Sequence, residues 1–109
     1  MDIKETKLPD RYLFALNGRL DSATNGLLDE RLTKIINDGE LHIVIDCSQL
    51  HYLSSAGIRV LLVAIKKLSA KGGRLLLAAM RVQVWEVMVL GGFDAVFPHY
   101  RTVDEALVA

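Results

Sequence analysis

Few side chains in this 109-residue sequence are placed to do chemistry, and two of them are adjacent. Ser54 and Ser55 open the stretch Ser-Ser-Ala-Gly (54–57), between an apolar run that reads as a strand and one that reads as a helix. A hydroxyl at such a junction has two uses. It can accept a hydrogen bond from a free N–H of the first helical turn and so cap the helix. It can also carry a phosphate, which would meet those N–H groups and the positive end of the helix macrodipole. Arg59 lies one turn beyond Ser55, either in reach of such a phosphate or simply on a solvated helix face. The residues alone leave both uses open.

Other chemistry is sparse. His42, His51 and His99 have no mutual spacing that suggests metal ligands, and one cysteine gives no thiolate cluster. His42 reads as a partly buried strand histidine, and Cys47 as inert packing near a core strand. No glycine-rich phosphate loop occurs, and Leu53 stands where a nucleophile-elbow motif would put its first glycine. Trp85, beside Val84 and Met88 at helical spacing, reads as core or interface. No acid–base set is proposed, so the chain does not read as an enzyme and calls for no cofactor.

The elements that must position the serines follow from periodicity. Asp2–Asp10 reads as an edge strand closed by a Pro9-Asp10 turn, and Arg11–Gly18 as a strand that stops at Asn-Gly. Asp21 or Ser22 is placed to cap a helix carrying Leu27, Leu28, Leu32, Ile35 and Ile36, with Gly39 as its stop. Leu41–Ser48 is a nearly continuous apolar run, as in a strand covered on both faces. After the serines, Ile58, Leu61, Leu62, Ile65 and Leu68 form a helical stripe that ends at Gly72-Gly73. A second two-sided strand (74–80), a helix (81–92), a short strand (93–100) and a terminal helix capped by Thr102 complete the chain. The expected fold is α/β: a small mixed sheet, its first two strands antiparallel and the later ones parallel, packed with about four helices. All 109 residues read as a single domain.

Half of the residues are hydrophobic, a quarter are charged, and the formal net charge is zero. That balance leaves no electrostatic footprint for nucleic acid. One cysteine suits a reducing compartment, and no run is long enough to span a membrane. The expectation is a soluble, cytoplasmic domain with no membrane insertion.

Two segments carry a family resemblance. "IVIDCSQLHYLSSAGIRVLL" (43–62) resembles the signature of the STAS domain of bacterial anti-sigma factor antagonists, and "LNGRLDSAT" (16–24) is similar to the family's segment after the second strand. The resemblance extends over essentially the whole chain. It implies a regulatory protein that binds an anti-sigma factor, itself a serine kinase, and so releases a sigma factor for transcription. It also implies that phosphorylation of one serine blocks binding and that a PP2C-type phosphatase restores it. Carried over by position, that serine is Ser55, with Ser54 as the alternative acceptor, since many relatives have Asp at that position. The implied partner-binding residues are Asp21, Ser54, Ser55, Ala56, Gly57 and Arg59, with Gly57 allowing close approach of the partner's backbone. Two other readings stand beside it. One is an accessory or scaffold subunit of a transport or signalling complex, never phosphorylated. The other is a small nucleotide or anion binder using the helix N-terminus.

Overall fold

A computed structural model describes residues 1–109. Its elements are β1 (Asp2–Lys7), β2 (Tyr12–Leu20), α1 (Asn25–Asn37), β3 (His42–Leu53), α2 (Ser55–Ala70), β4 (Arg74–Ala78), α3 (Val82–Leu90), β5 (His99–Tyr100) and α4 (Val103–Leu107). The five strands form one sheet in chain order, β1–β2 antiparallel and every later pair parallel. The expected mixed sheet with four helices is therefore what the chain forms.

The alternation of side chains across each strand divides the molecule into two unequal layers. Phe14, Leu16 and Leu20 of β2, Ile43, Ile45 and Leu50 of β3, and Leu75 and Leu77 of β4 face one side. They pack there with Leu28 and Leu32 of α1, Leu61 and Leu68 of α2, and Val84 and Met88 of α3. On the other face Val44, Leu76 and Ala78 meet Ala106 of the short α4 in a core of four buried residues. This explains why 41–48 and 74–80 are apolar at successive positions: these strands are covered on both sides. Arg11 holds α4 down, its guanidinium donating to the Ala106 carbonyl at 3.1 Å. Cys47 is completely buried, and desolvation pushes its thiol up to about 12.

Three sequence expectations are corrected. β2 does not stop at Asn17-Gly18 but runs to Leu20, with Gly18 at φ +118°. β3 does not end at Ser48 but continues to Leu53. The two corrections have one cause. Between Ala15 and Asn17, and again between Gly18 and Arg19, the register slips by one residue, so β3 carries two more residues than the β2 stretch it faces. Gly18 absorbs a bulge in a backbone region that costs other residues strain, and does not make a turn. Lastly, the expected strand over 93–100 shrinks to His99–Tyr100, because the preceding residues form turns and only Leu77 and Ala78 offer pairing positions. His42 is a smaller departure: it stands exposed at the first position of β3.

One polar cluster ties β1, β2 and α1 together. The Arg31 guanidinium donates to both carboxylate oxygens of Glu5, at 2.6 and 2.8 Å, and the Tyr12 hydroxyl donates to the same group at 2.7 Å. The Arg31 bonds hold the Glu5 carboxyl below its ordinary range, outweighing the upward push of partial burial. A carboxyl lowered in the folded state stabilises the fold above its unfolded pKa and loses that contribution as pH falls through the folded pKa. Stability measured by urea unfolding should therefore drop more steeply below pH 5 in the native protein than in Glu5→Gln. Parallel curves for the two proteins would show that the cluster contributes nothing.

Candidate functional site

The site is built where the ends of β2 and β3 meet. Leu20 and Leu53 are register partners, and the Ser54 N–H donates to the Leu20 carbonyl at 3.0 Å. The residues that follow, Asp21 on one side and Ser54 on the other, are thereby held next to each other. Gly57 closes the junction. A Cβ built on it would lie 2.7 Å from the Leu20 carbonyl oxygen, 2.7 Å from Leu20 Cγ and 3.1 Å from a Leu53 methyl. The expectation that a partner's backbone approaches Gly57 is thus corrected: the close approach is made by the chain's own β2, and Gly57 is buried.

The two serines have different surroundings. Ser54 is the N-cap of α2, with extended backbone (φ −96°, ψ 170°), and its Oγ accepts the Gly57 N–H at 3.3 Å. Ser55 is the first helical residue; it is exposed and its hydroxyl enters no hydrogen bond of the chain. Ala56 is half-buried beside it. The Ser55 and Ala56 N–H groups fall in the first turn, where no intrahelical carbonyl can reach them. Arg59 is exposed one turn further along and forms no ion pair, so its guanidinium is free in solvent.

Asp21 does not cap α1, and neither does Ser22; the N-cap is Thr24. The Asp21 carboxylate instead accepts the Ala23 N–H at 3.0 Å, and its carbonyl accepts the Asn25 N–H at 2.8 Å. An aspartate that bonds forward two residues makes a turn of its own and delays the helix by that length. The Thr24 hydroxyl locks this turn, accepting the Asp21 N–H at 3.0 Å and donating to the Arg19 carbonyl at 2.7 Å. Desolvation pushes the Asp21 carboxyl upward, but the Ala23 N–H, Thr24 and Arg19 together outweigh it and hold the group below its ordinary range. The turn therefore presents a charged carboxylate beside the serines.

Arg19 and Tyr52 belong to the site although neither was picked out from the sequence. The Arg19 guanidinium lies 4.0 Å over the Tyr52 ring and 3.5 Å from the Asp21 carboxylate. They are register partners, but only after both bulges are counted, so no sequence pattern shows the pairing. On the far side, Arg81 at the start of α3 donates to the Ser48 carbonyl at 3.3 Å and contacts His51 Nδ1 at 3.0 Å. Trp85, half-buried, stacks on His99 with ring centroids 4.3 Å apart. No three His, Cys, Asp or Glu side chains converge to hold a metal ion. No helix is long and apolar enough to cross a membrane.

A five-stranded mixed sheet, with three helices on one face and a serine pair at the N-terminus of the second, defines a small mixed α/β domain. The STAS domain model matches residues 2–106, and the chain belongs to the STAS domain family. Within it the chain is of the anti-sigma factor antagonist type. BtrV of Bordetella bronchiseptica, provisionally designated an anti-sigma factor antagonist, is 32% identical over 109 residues, covering 100% of this chain and 94% of BtrV. An anti-sigma factor antagonist from Mycobacterium paratuberculosis is similar in structure, with a TM-score of 0.88 at 25% identity over 98% of this chain and 91% of that one. SpoIIAA shares the fold in two states. Its unphosphorylated form gives a TM-score of 0.85 at 19% identity, over 97% of this chain and 93% of that one. Its phosphorylated form, from Bacillus, gives 0.77 at 18% over 98% and 97%.

The unequal roles of the serines have a measurable consequence. Ser54→Ala removes the cap and should cost about 1 kcal/mol. In a domain of this size that lowers the thermal midpoint by about 4–8 °C. Ser55→Ala should change stability by no more than about 0.5 kcal/mol. Gly57→Ala forces Leu20 or the backbone to move and should cost about 1–3 kcal/mol. Thermal melts of the three variants check the order; equal losses for Ser54→Ala and Ser55→Ala would contradict the division.

Proposed function

We propose that this protein is a phosphorylation-switched anti-sigma factor antagonist, a binding module with no reaction of its own. It binds an anti-sigma factor that is also a serine kinase and so frees a sigma factor for transcription. The kinase transfers the γ-phosphoryl group of ATP to Ser55 Oγ and releases ADP. A PP2C-type phosphatase hydrolyses the ester to inorganic phosphate and restores binding. The contact surface is the Asp21 turn, Ser54–Ala56 and Arg59, with the buried Gly57 holding that loop against β2.

The observation that carries this reading is the availability of Ser55. Its neighbour is committed to the Gly57 N–H, whereas the Ser55 hydroxyl is exposed and unbonded. A phosphoryl group there would bear about −1.5 to −2 charges at neutral pH. The first-turn N–H groups and the helix dipole favour that charge, so modification would change the surface without melting α2. That SpoIIAA keeps the fold in both its phosphorylated and unphosphorylated forms supports a switch of this kind. Charge added inside a packed contact then weakens it by repulsion and desolvation.

Intact-mass and phosphopeptide analysis of the protein from its own cells tests this. One added phosphate should map to Ser55, vanish in Ser55→Ala and persist in Ser54→Ala. A phosphate on Ser54 would overturn the assignment of the acceptor. Unmodified protein under every growth condition would favour the scaffold role.

A further inference from the structure

Beyond Ser55, α2 presents a solvent face with an unusual charge. Its sixteen residues include Arg59, Lys66 and Lys67 and not one Asp or Glu. At 3.6 residues per turn, Ser55, Arg59 and Lys66 fall within about 40° of one another around the helix. They form one line about 16 Å long, given a rise of 1.5 Å per residue. Arg59 and Lys66 are exposed, and neither enters an ion pair. Asp29 and Glu30 of the neighbouring α1 pair with neither. By contrast Lys67, on the flank toward α1, is occupied with the Thr33 hydroxyl at 3.1 Å. Val63 is exposed beside the line at 38%. The positive end of the helix macrodipole lies at the Ser55 end and adds to the same sign.

Resting on the function proposed above, we infer that the partner protein presents carboxylates to α2, and that Arg59 and Lys66 read them. The switch then works by charge cancellation along a line. Two unpaired cations attract an acidic face, and a phosphoserine carrying about −1.5 to −2 charges at one end nearly neutralises them. Contact at the serine is not needed for this effect. Lys66 stands three turns from Ser55, so a purely steric block by phosphate assigns it no part.

The test uses the kinase that modifies Ser55, purified from extracts of the protein's own cells by following that activity. Association and dissociation rates with unphosphorylated protein are measured for wild type, Lys66→Gln, Lys66→Glu and Val63→Ala at low and high salt. Circular dichroism confirms that each variant is folded. Because exposed interface charges act mainly on association, Lys66→Glu should slow it about 10-fold at low salt, with Lys66→Gln in between. The difference should shrink at high salt, and Val63→Ala should leave the salt dependence unchanged. Association of Lys66→Glu within about threefold of wild type at low salt would overturn the inference while leaving the Ser55 switch intact. Absence of any Ser55 kinase activity in the extracts would instead overturn the function on which it rests.

Discussion

The serine-bearing end of this molecule depends on one close contact, the seating of Gly57 against Leu20. The Leu20 carbonyl receives the Ser54 N–H at 3.0 Å and sits where a side chain on residue 57 would have to be. Hydrogen bond and van der Waals contact together fix the end of β2 to the start of α2. From that single fixed point the Asp21 turn on one strand and the two serines on the next acquire their relative positions.

The sheet supplies the leverage for that contact. β3 carries two more residues than the stretch of β2 it faces, and each bulge bends the strand and adds right-handed twist. Both irregularities lie in the half of the strand pair that leads to the serines, while Tyr12–Ala15 against Ile43–Asp46 is regular. The N-terminal halves of these strands therefore serve the core, and the bulged halves aim the loops. Parallel strands put their C-terminal ends together, which is why α1, α2 and α3 all begin at this edge.

Much of this was legible in the sequence, and most of the failures share a physical origin. The buried stripe of α2, the two-sided character of β3 and β4, the antiparallel first pair and the Thr102 cap all follow from local periodicity or capping chemistry. Asn17-Gly18 reads as a terminator because that dipeptide favours turns; here Gly18 relieves a bulge against a neighbour more than 30 residues away. Asp21 reads as a cap, yet its carboxylate finds the Ala23 N–H and builds a separate turn first. Likewise the Arg19–Tyr52 stack needs the true register before the two residues can be matched. The first and third misses turn on a partner distant in sequence; the Asp21 turn is local, one of two hydrogen-bonding uses open to an aspartate ahead of a helix. Even so, the candidate site was visible from its residue types, and the structure added which serine is committed to the backbone.

The buried cysteine has a practical meaning. Cys47 is the only thiol in the chain, sits at the start of the bulged half of β3, and is wholly enclosed with its thiol pushed up to about 12. The thiolate is the reactive form, so the native protein is shielded from alkylating reagents both by access and by ionisation. Labelling can proceed only when the strand that leads to the serine pair opens. The molecule thus contains its own clock for that opening, one atom at one known place. Labelling rates will report how often the scaffold behind Ser55 comes apart, with no probe added and no residue at the surface disturbed.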